Sequence, residues 1–331
     1  MKGVFPYSDI GKRYHTYDYY LRTRFGGKVA KLPVDIGLSC PNRDGSKGIG
    51  GCAFCSGSAG GDFCARGTVT QQLEAQKRVA SEKWQPHGYI PYFQAGTGTH
   101  APLASLLPLW EEALTFPNAV GLAIATRPDC LPDDICDALA DISKRTFLTI
   151  ELGLQTANDE TAARMNRCHG YAEFLDGFYK LRERGIPVCI HLINGLPGET
   201  SEDMLETARR VASLRPEFVK LHLLHVLKGT ELEAEYAAGK FDTMTKDEYV
   251  STVVSQMELF PPETVFERVT GDGKGEELVA PRWSRRKREV LNAIDAELRS
   301  RGTVQGALFS EELGERSQEL RKLASPRRCE K

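Results

Sequence analysis

The chain has 331 residues, 41% of them hydrophobic, which is material for one large domain or two around a sizeable core. No apolar stretch approaches the roughly 20 residues of a membrane span, and the opening Met-Lys-Gly-Val-Phe-Pro-Tyr-Ser-Asp-Ile has no apolar signal core, so a cytoplasmic protein with no membrane partner is expected. The formal net charge of -2 hides a polarity: residues 1–31 hold seven Lys and Arg against two Asp and Glu, residues 281–331 hold thirteen against eight, and the middle is left by difference at about -12.

In chain order, residues 1–31 form a basic, aromatic extension in which Lys12, Arg13, Tyr14 and His15 open a run of cations and rings reaching Tyr20. Apolar strand-like runs then alternate with helix-period stretches. The strands are expected at Leu32–Leu38, Tyr89–Ala95, Val120–Thr126, Phe147–Leu152, Pro187–Ile193 and Phe218–Leu224. The helices between them are expected near Val69–Trp84, Pro102–Phe116, Pro132–Ile142, Asp159–Asn166 with Tyr171–Arg184, and Ser201–Leu214. Runs that are apolar almost throughout fit parallel strands covered on both faces. Six βα units over residues 32–240 predict an α/β fold, a partial (β/α)6 barrel of TIM type, followed by a C-terminal extension with a basic helix at 241–302 and a charged, flexible tail at 303–331.

Parallel βα folds gather function on the loops after the strands. Here those loops carry Cys40, Cys52 and Cys55, then Gly96 and Thr97, Thr126-Arg-Pro-Asp129, Glu151-Leu-Gly-Leu-Gln155, Asn194-Gly-Leu-Pro-Gly-Glu199, and His222-Leu-Leu-His225 followed by Lys228. Three thiolates hold three irons of a four-iron cubane and leave the fourth open for a non-protein ligand. A closed zinc site with Cys64 as fourth ligand, in a non-catalytic nucleic-acid-binding module, is the alternative for the same thiols. The Gly195–Gly198 loop lacks the Lys-Ser/Thr ending of a phosphate loop.

The Cys triplet after the first strand, Phe54 before its last member, the Ile-Asn-Gly-Leu-Pro-Gly-Glu segment and the partial barrel resemble the radical S-adenosylmethionine (SAM) superfamily. The strings Thr126-Arg-Pro-Asp, Glu151-Leu-Gly-Leu-Gln and Asn166-Arg-Cys-His169 resemble the branch that contains the catalytic subunit of Elongator. Lys12-Arg-Tyr-His-Thr16, Cys40-Pro-Asn-Arg-Asp-Gly45, His222-Leu-Leu-His225 and Thr270-Gly-Asp272 are similar to a short bacterial family that includes the tRNA-modifying enzyme MnmL. The spacer between the first two cysteines is longer than the superfamily's usual three residues, and Ala95-Gly96-Thr97 stands where many members have Gly-Gly-Glu.

The resemblance implies a 4Fe-4S cluster on Cys40, Cys52 and Cys55, with SAM on its open iron. It implies SAM contacts from Gly96, Thr97, Thr126, Glu151, Gln155, Arg164, Asn194, Gly195 and Leu196, with Glu151 on the ribose hydroxyls and Gln155 and Arg164 near the carboxylate. Glu151, Gln155 and His225 are the candidate catalytic residues, His225 being preferred to His222 because a strand points only one of the two inward. The implied substrate is a tRNA wobble uridine carrying 5-carboxymethylaminomethyl, trimmed to aminomethyl ahead of a separate tRNA methyltransferase. A low-potential donor such as flavodoxin or ferredoxin is the implied electron source. Positive charge beside stacking faces is what RNA loop recognition uses, so Lys12, Arg13, Tyr14, His15, Lys228, Arg282, Arg285, Arg286, Lys287 and Arg288 are the expected RNA contacts. A small-molecule substrate is the alternative, and the basic runs would then be solvated helix faces.

Overall fold

Strands pair in chain order to build one curled parallel sheet. In the computed structural model, which describes residues 5–57, 60–271 and 275–310, β1 (Val29–Val34), β2 (Gly88–Phe93), β3 (Gly121–Thr126), β4 (Phe147–Gln155), β5 (Val188–Asn194) and β6 (Phe218–Leu223) lie side by side. β7 (Val226–Leu227) leaves the sheet to pair with the later β9 (Leu278–Ala280), while β8 (Val265–Arg268) joins β6 in parallel. The sheet thus has seven strands rather than the six expected, with β1 and β8 as its edges. Its first strand starts three residues before the expected one.

Ten helices accompany the strands among the described residues: α1 (Tyr17–Phe25), α2 (Val69–Trp84), α3 (Leu103–Leu114), α4 (Asp133–Arg145), α5 (Asp159–Arg164), α6 (Tyr171–Glu183), α7 (Ser201–Ser213), α8 (Glu231–Ala237), α9 (Lys246–Leu259) and α10 (Lys287–Ser300). Their starts are written locally: α2, α7 and α9 open on capping boxes at Thr68/Gln71, Thr200/Asp203 and Thr245/Glu248, each satisfying two otherwise orphaned N–H groups. Helical spacing then buries one face, as with Ile135, Cys136, Leu139 and Ile142 of α4. These faces form the main core against the outside of the sheet. Among the described residues no helix is long and apolar enough to cross a membrane.

The expected tail divides. Residues 303–310 belong to the fold, because the buried Gln305 accepts from the His15 backbone at 2.8 Å and donates to the carbonyls of Pro261 and Thr264 at 2.6 and 2.8 Å. Residues 311–331 lie outside the described residues, as does Asp272 of the Thr-Gly-Asp string.

The inside of the sheet is layered. At the amino ends of the strands α1 acts as a stopper, with Tyr20 edge-on to Phe218 at 5.1 Å and Phe25 edge-on to Phe147 at 5.7 Å. Above this apolar layer lies an ionic one. The Glu151 carboxylate, fully buried, accepts from Lys31 and Lys220, from the Tyr92 hydroxyl at 2.5 Å, and lies 2.8 Å from His191 Nε2. Lys31 also pairs with Glu267 at 2.5 Å and Lys220 with Glu267 at 2.9 Å. Two lysines face two glutamates, so the layer is neutral. Lys31 stands on one edge strand and Glu267 on the other, so this pair ties together edges that share no strand pairing.

Burial alone would raise the Glu151 pKa, but Lys220, Lys31 and His191 outweigh it and hold the carboxyl ionised well below its ordinary value. Burial pushes His191 down, helped by Lys220, and pushes His222 further down, helped by His191, Arg268 and Lys220. Both rings are neutral at pH 7.

Removing the central carboxylate leaves two buried ammonium groups sharing one partner. Glu151→Gln is expected to cost about 3 kcal/mol of folding stability, read from the urea midpoint by far-UV circular dichroism; a loss below about 1 kcal/mol, the range of exposed pairs, would show the layer to be solvated. The histidines set a pH dependence. The unfolded chain takes up their protons below about pH 6.5 while the folded chain does so only at lower pH, so stability should fall as pH drops from 6.5 and fall again below about 4.5, where Glu151 of the unfolded chain is protonated while the folded carboxylate is still ionised. His222→Asn should flatten the first slope, and an unfolding midpoint indifferent to pH between 7.5 and about 5 would contradict the assignment.

Candidate functional site

Above the ionic layer, at the carboxyl ends of the strands, is a cavity of about 290 Å³. Cys40, Cys52 and Cys55 line it from the loop after β1; Gly96 and Thr97 follow β2, Thr126 ends β3 with Arg127 just beyond it, and Gln155 ends β4. Tyr92, Glu151, His191 and Lys220 are its floor. A larger cavity of about 1100 Å³ lies apart from the three thiols, between the Pro128–Pro132 loop after β3 and α6.

The cysteine loop contains few apolar residues and is held by polar contacts. Its first turn closes on the Cys40 carbonyl, which accepts from the backbone N–H of Arg43 at 2.7 Å and of Asp44 at 3.1 Å. The Arg43 guanidinium then clasps the far end, donating to the carbonyls of Cys55 at 3.2 Å and Gly57 at 3.0 Å. At Gly96, where φ is +65°, a side chain would collide with the Leu38 carbonyl, so only glycine lets the end of β2 press against this loop.

A second segment, Asn166 to His169, straps the loop from across the barrel. Asn166 Nδ2 donates to the carbonyls of Ile49 at 3.1 Å and Gly51 at 2.8 Å. Arg167 donates to Cys52 Sγ at 3.3 Å, to the Gly153 carbonyl at 2.6 Å and to His169 Nε2 at 2.8 Å. Burial, reinforced by Arg167 and Arg127, pushes His169 down to about 3, so the ring is neutral and accepts. Cys168 Sγ donates to the buried Asn42, whose Nδ2 lies 3.6 Å from Cys52 Sγ.

The donor set fits a thiolate-bound cluster. Burial raises the Cys55 thiol, and the neighbouring Cys52 and Cys40 add to that while Arg43 opposes it. Arg127, forked onto Asp129 at 2.9 and 2.8 Å, keeps its Nη1 buried without a hydrogen-bond partner, and so does Arg167 at Nε. Unused cationic N–H groups beside three thiols suit an anionic occupant. Among the described residues no three His, Cys, Asp or Glu side chains close on a common point as a single zinc ion requires. A cubane asks each thiolate for a different iron. Cys64 follows the short turn Gly61–Phe63 and is not among the residues lining the cavity.

Of the residues expected around SAM, the cavity gathers Gly96, Thr97, Thr126, Glu151 and Gln155. Glu151 is not at a strand end: β4 runs four residues further, and the carboxylate lies one layer down with both oxygens engaged. Gln155 has the terminal place, at a register shift with φ +75°. Asn194 pairs its amide reciprocally with Gln256 at 2.8 Å, Gly195 rests on Met244, and Leu196 packs with Ala53 and Met165 under the cysteine loop. Arg164 is partly exposed and pairs with Glu235 at 3.4 Å. These four stand beside the cavity rather than in its lining. Of the two histidines it is His222 that faces the cavity, while His225, beyond the end of β6, packs on Gly271.

The expected RNA contacts separate in the same way. Tyr14 and His15 are buried, Tyr14 edge-on to Phe266 and His15 stacked on Tyr7 at 4.5 Å, so neither offers a face to a base. Lys12 pairs with Asp295, and Arg13 donates to the Thr303 carbonyl at 3.1 Å, which makes this run a clasp between the chain ends. Lys228, Arg282, Arg285, Arg286, Lys287 and Arg288 are exposed. The cavity also contains Arg127, Arg167, His191, Lys220 and Arg268, to which the sequence assigns no individual role. A lone lysine inside the apolar run Phe218-Val-Lys-Leu was the available signal for the ionic layer.

Known proteins agree with this architecture. Residues 40–211 match the family model described as the Radical SAM superfamily and residues 216–300 the Radical_SAM C-terminal domain. The chain is similar to YtqA of Bacillus subtilis strain 168, 49% identical over 308 residues that cover 92% of this chain and 95% of that protein. It is 29% identical over 170 residues to a tRNA uridine(34) acetyltransferase of Dehalococcoides mccartyi, covering 49% of this chain and 36% of the relative. Among solved structures, the fold is similar to that of an archaeal Elp3 from Methanocaldococcus infernus, with a TM-score of 0.64 at 18% identity over 84% of this chain and 64% of that one. With its three cysteines in place after β1 of a curled parallel sheet, this chain belongs to the radical SAM superfamily and is a radical SAM enzyme using a 4Fe-4S cluster and SAM.

Proposed function

We propose that the enzyme modifies tRNA at the wobble uridine, converting 5-carboxymethylaminomethyluridine, with or without the 2-thio group, to the 5-aminomethyl form. The observation that carries this reading is the similarity to a relative named for uridine 34 of tRNA. The exposed cations from Arg282 to Arg288 support it. A low-potential flavodoxin or ferredoxin supplies the electron, a tRNA methyltransferase takes the aminomethyl product, and the work is done in the cytoplasm.

When bound, the cluster and SAM would supply hydrogen-atom abstraction and act as the two-electron oxidant for loss of the carboxymethyl group, whose two carbons would leave as glyoxylate once water adds. The chain's own residues then have distinct tasks. Cys40, Cys52 and Cys55 hold the irons, and Arg167 and Asn42 direct N–H groups at the Cys52 sulfur, the kind of hydrogen bonding that tunes such a centre. Arg127 Nη1 offers its unused N–H to the SAM carboxylate. Gln155, rather than the fully engaged Glu151, takes the ribose hydroxyls, with Gly96, Thr97 and Thr126 beside it. Asn194, Gly195 and Leu196 shape the wall behind the adenine, and Arg164 steadies that loop from outside. The neutral floor of Tyr92, Glu151, His191 and Lys220 closes the site from below.

Two experiments test this. Cys40→Ala, Cys52→Ala and Cys55→Ala should each lose the roughly four irons per chain of one cubane, while Cys64→Ala keeps them; zinc in the anaerobically purified protein, or metal loss on removing Cys64, would contradict the cluster assignment. Nucleoside mass spectrometry of tRNA from a strain lacking the protein should show 5-carboxymethylaminomethyluridine accumulating and the aminomethyl form gone. An unaltered nucleoside profile would redirect the search to a small-molecule substrate.

A further inference from the structure

A third cavity, a cleft of about 790 Å³, opens on the flank of the barrel between the edge strands β1 and β8. Gly60, Tyr92, Gln94, Lys220, His222 and Arg268 line both this cleft and the thiol cavity, so the two form one space from the surface to the site. Its outer rim is unusual for this surface. Six large hydrophobic side chains are exposed among the described residues, and three of them, Phe63, Val79 and Trp84, stand on this rim. Trp84, at the end of α2, is 55% exposed, with Lys28 and Lys83 at 5.6 and 5.9 Å from its ring.

The charge of the rim is one-sided. Lys83, Arg268, Arg285 and Lys287 line the cleft, whose one carboxylate, Glu267, is already engaged by Lys31 and Lys220. A chain of net charge -2 therefore gathers cations beside exposed rings at a side opening that leads to its thiols. Deeper in, His222 Nε2 is buried without a hydrogen-bond partner where the cleft meets the cavity.

We propose that this flank cleft is the entrance for a single-stranded RNA loop: bases beside the target stack on Trp84 and Phe63, their phosphates lie on Lys83, Arg285 and Lys287, and the target nucleoside passes inward to His222 and Arg268. The inference rests on the tRNA reading above and adds to it the surface that recognises the substrate. Stacking on an aromatic face is tolerant of base identity, and the cations follow the backbone. Of the basic run at the start of α10, the cleft uses Arg285 and Lys287; Arg282, Arg286 and Arg288 are not among its lining. His222 presents a neutral ring to the entering base.

The test is binding of a fluorescent anticodon stem-loop RNA to the cluster-loaded enzyme with SAM present. Trp84→Ala should weaken binding about 5- to 100-fold, as loss of one stacked base does, and Trp84→Phe should restore most of it. Lys83→Ala, Arg285→Ala and Lys287→Ala combined should lower the slope of log K against log salt by about 2, at roughly 0.7 per lost phosphate contact, whereas the pair Arg286→Ala and Arg288→Ala changes it less. Iron content and the thermal midpoint confirm folding, and Phe63→Ala provides an independent second variant. Wild-type affinity and salt slope in both the Trp84→Ala and the triple variant would overturn the cleft as the entrance while leaving the tRNA reading standing. Equal affinity for an RNA duplex would overturn stacking. Failure of the wild-type enzyme to bind the loop, with an unaltered tRNA profile in the deletion strain, would remove the tRNA reading and this inference with it.

Discussion

The Glu151 carboxylate, enclosed by Lys31, Lys220, Tyr92 and His191, is the contact on which the arrangement depends. A curled sheet that does not close has two edges, and backbone pairing cannot hold them at a fixed separation. Here side chains take over that role: Lys31 on one edge reaches Glu267 on the other, and Glu151 and Lys220 brace the pair from the middle of the sheet. Taking four charges out of water costs more than a single ion pair returns, so such a layer is stable only when each charge has several partners. These have them. The layer also sets a level: below it is packed aromatic stopper, above it polar space.

The cysteine loop depends on the fold rather than on itself. Sixteen residues from Cys40 to Cys55 have almost no apolar material to bury, so their geometry comes from Arg43 within the loop and from Asn166, Arg167 and Cys168 more than a hundred residues away. Both Asn166 and Cys168 have positive φ, at 51° and 57°, the strained turn that aims Arg167 at the Cys52 sulfur between them. Thus α5 and the turn after it fix the shape of the cysteine loop as much as the loop's own residues do.

Periodicity made most of the scaffold legible. Helix α2 spans the predicted residues, and the six long strands lie within a few residues of their predicted places, because burial on both faces leaves near-continuous apolar runs. The seventh strand was missed for a physical reason: Val265-Phe-Glu-Arg is four residues long, and two of them are charged. The site was half legible. Thiols, glycines and terminal threonines announce themselves by type, whereas depth does not. The apolar run ends at Leu152 and so places Glu151 at a strand end, whereas β4 continues three residues further and puts it in the ionic layer. His222 is the last inward position of β6, a distinction that turns on a single residue of strand length. Tyr14 and His15 looked like a recognition surface because cations and aromatics interleave there, but the partners that bury them, Phe266 and Gln305, come from the other end of the chain.

The gap between β1 and β8 makes the flank cleft a slot rather than a pore. A pore must be threaded from a free end, and its bore limits everything that passes. A slot open along its side accepts an interior unit of a long polymer as a side branch, with the chain continuing past on both sides and its bulk left in solvent. The same salt link that keeps the two edges at a fixed distance, Lys31 to Glu267, therefore also gauges the width of the unit that can be presented, independently of the size of the molecule that presents it.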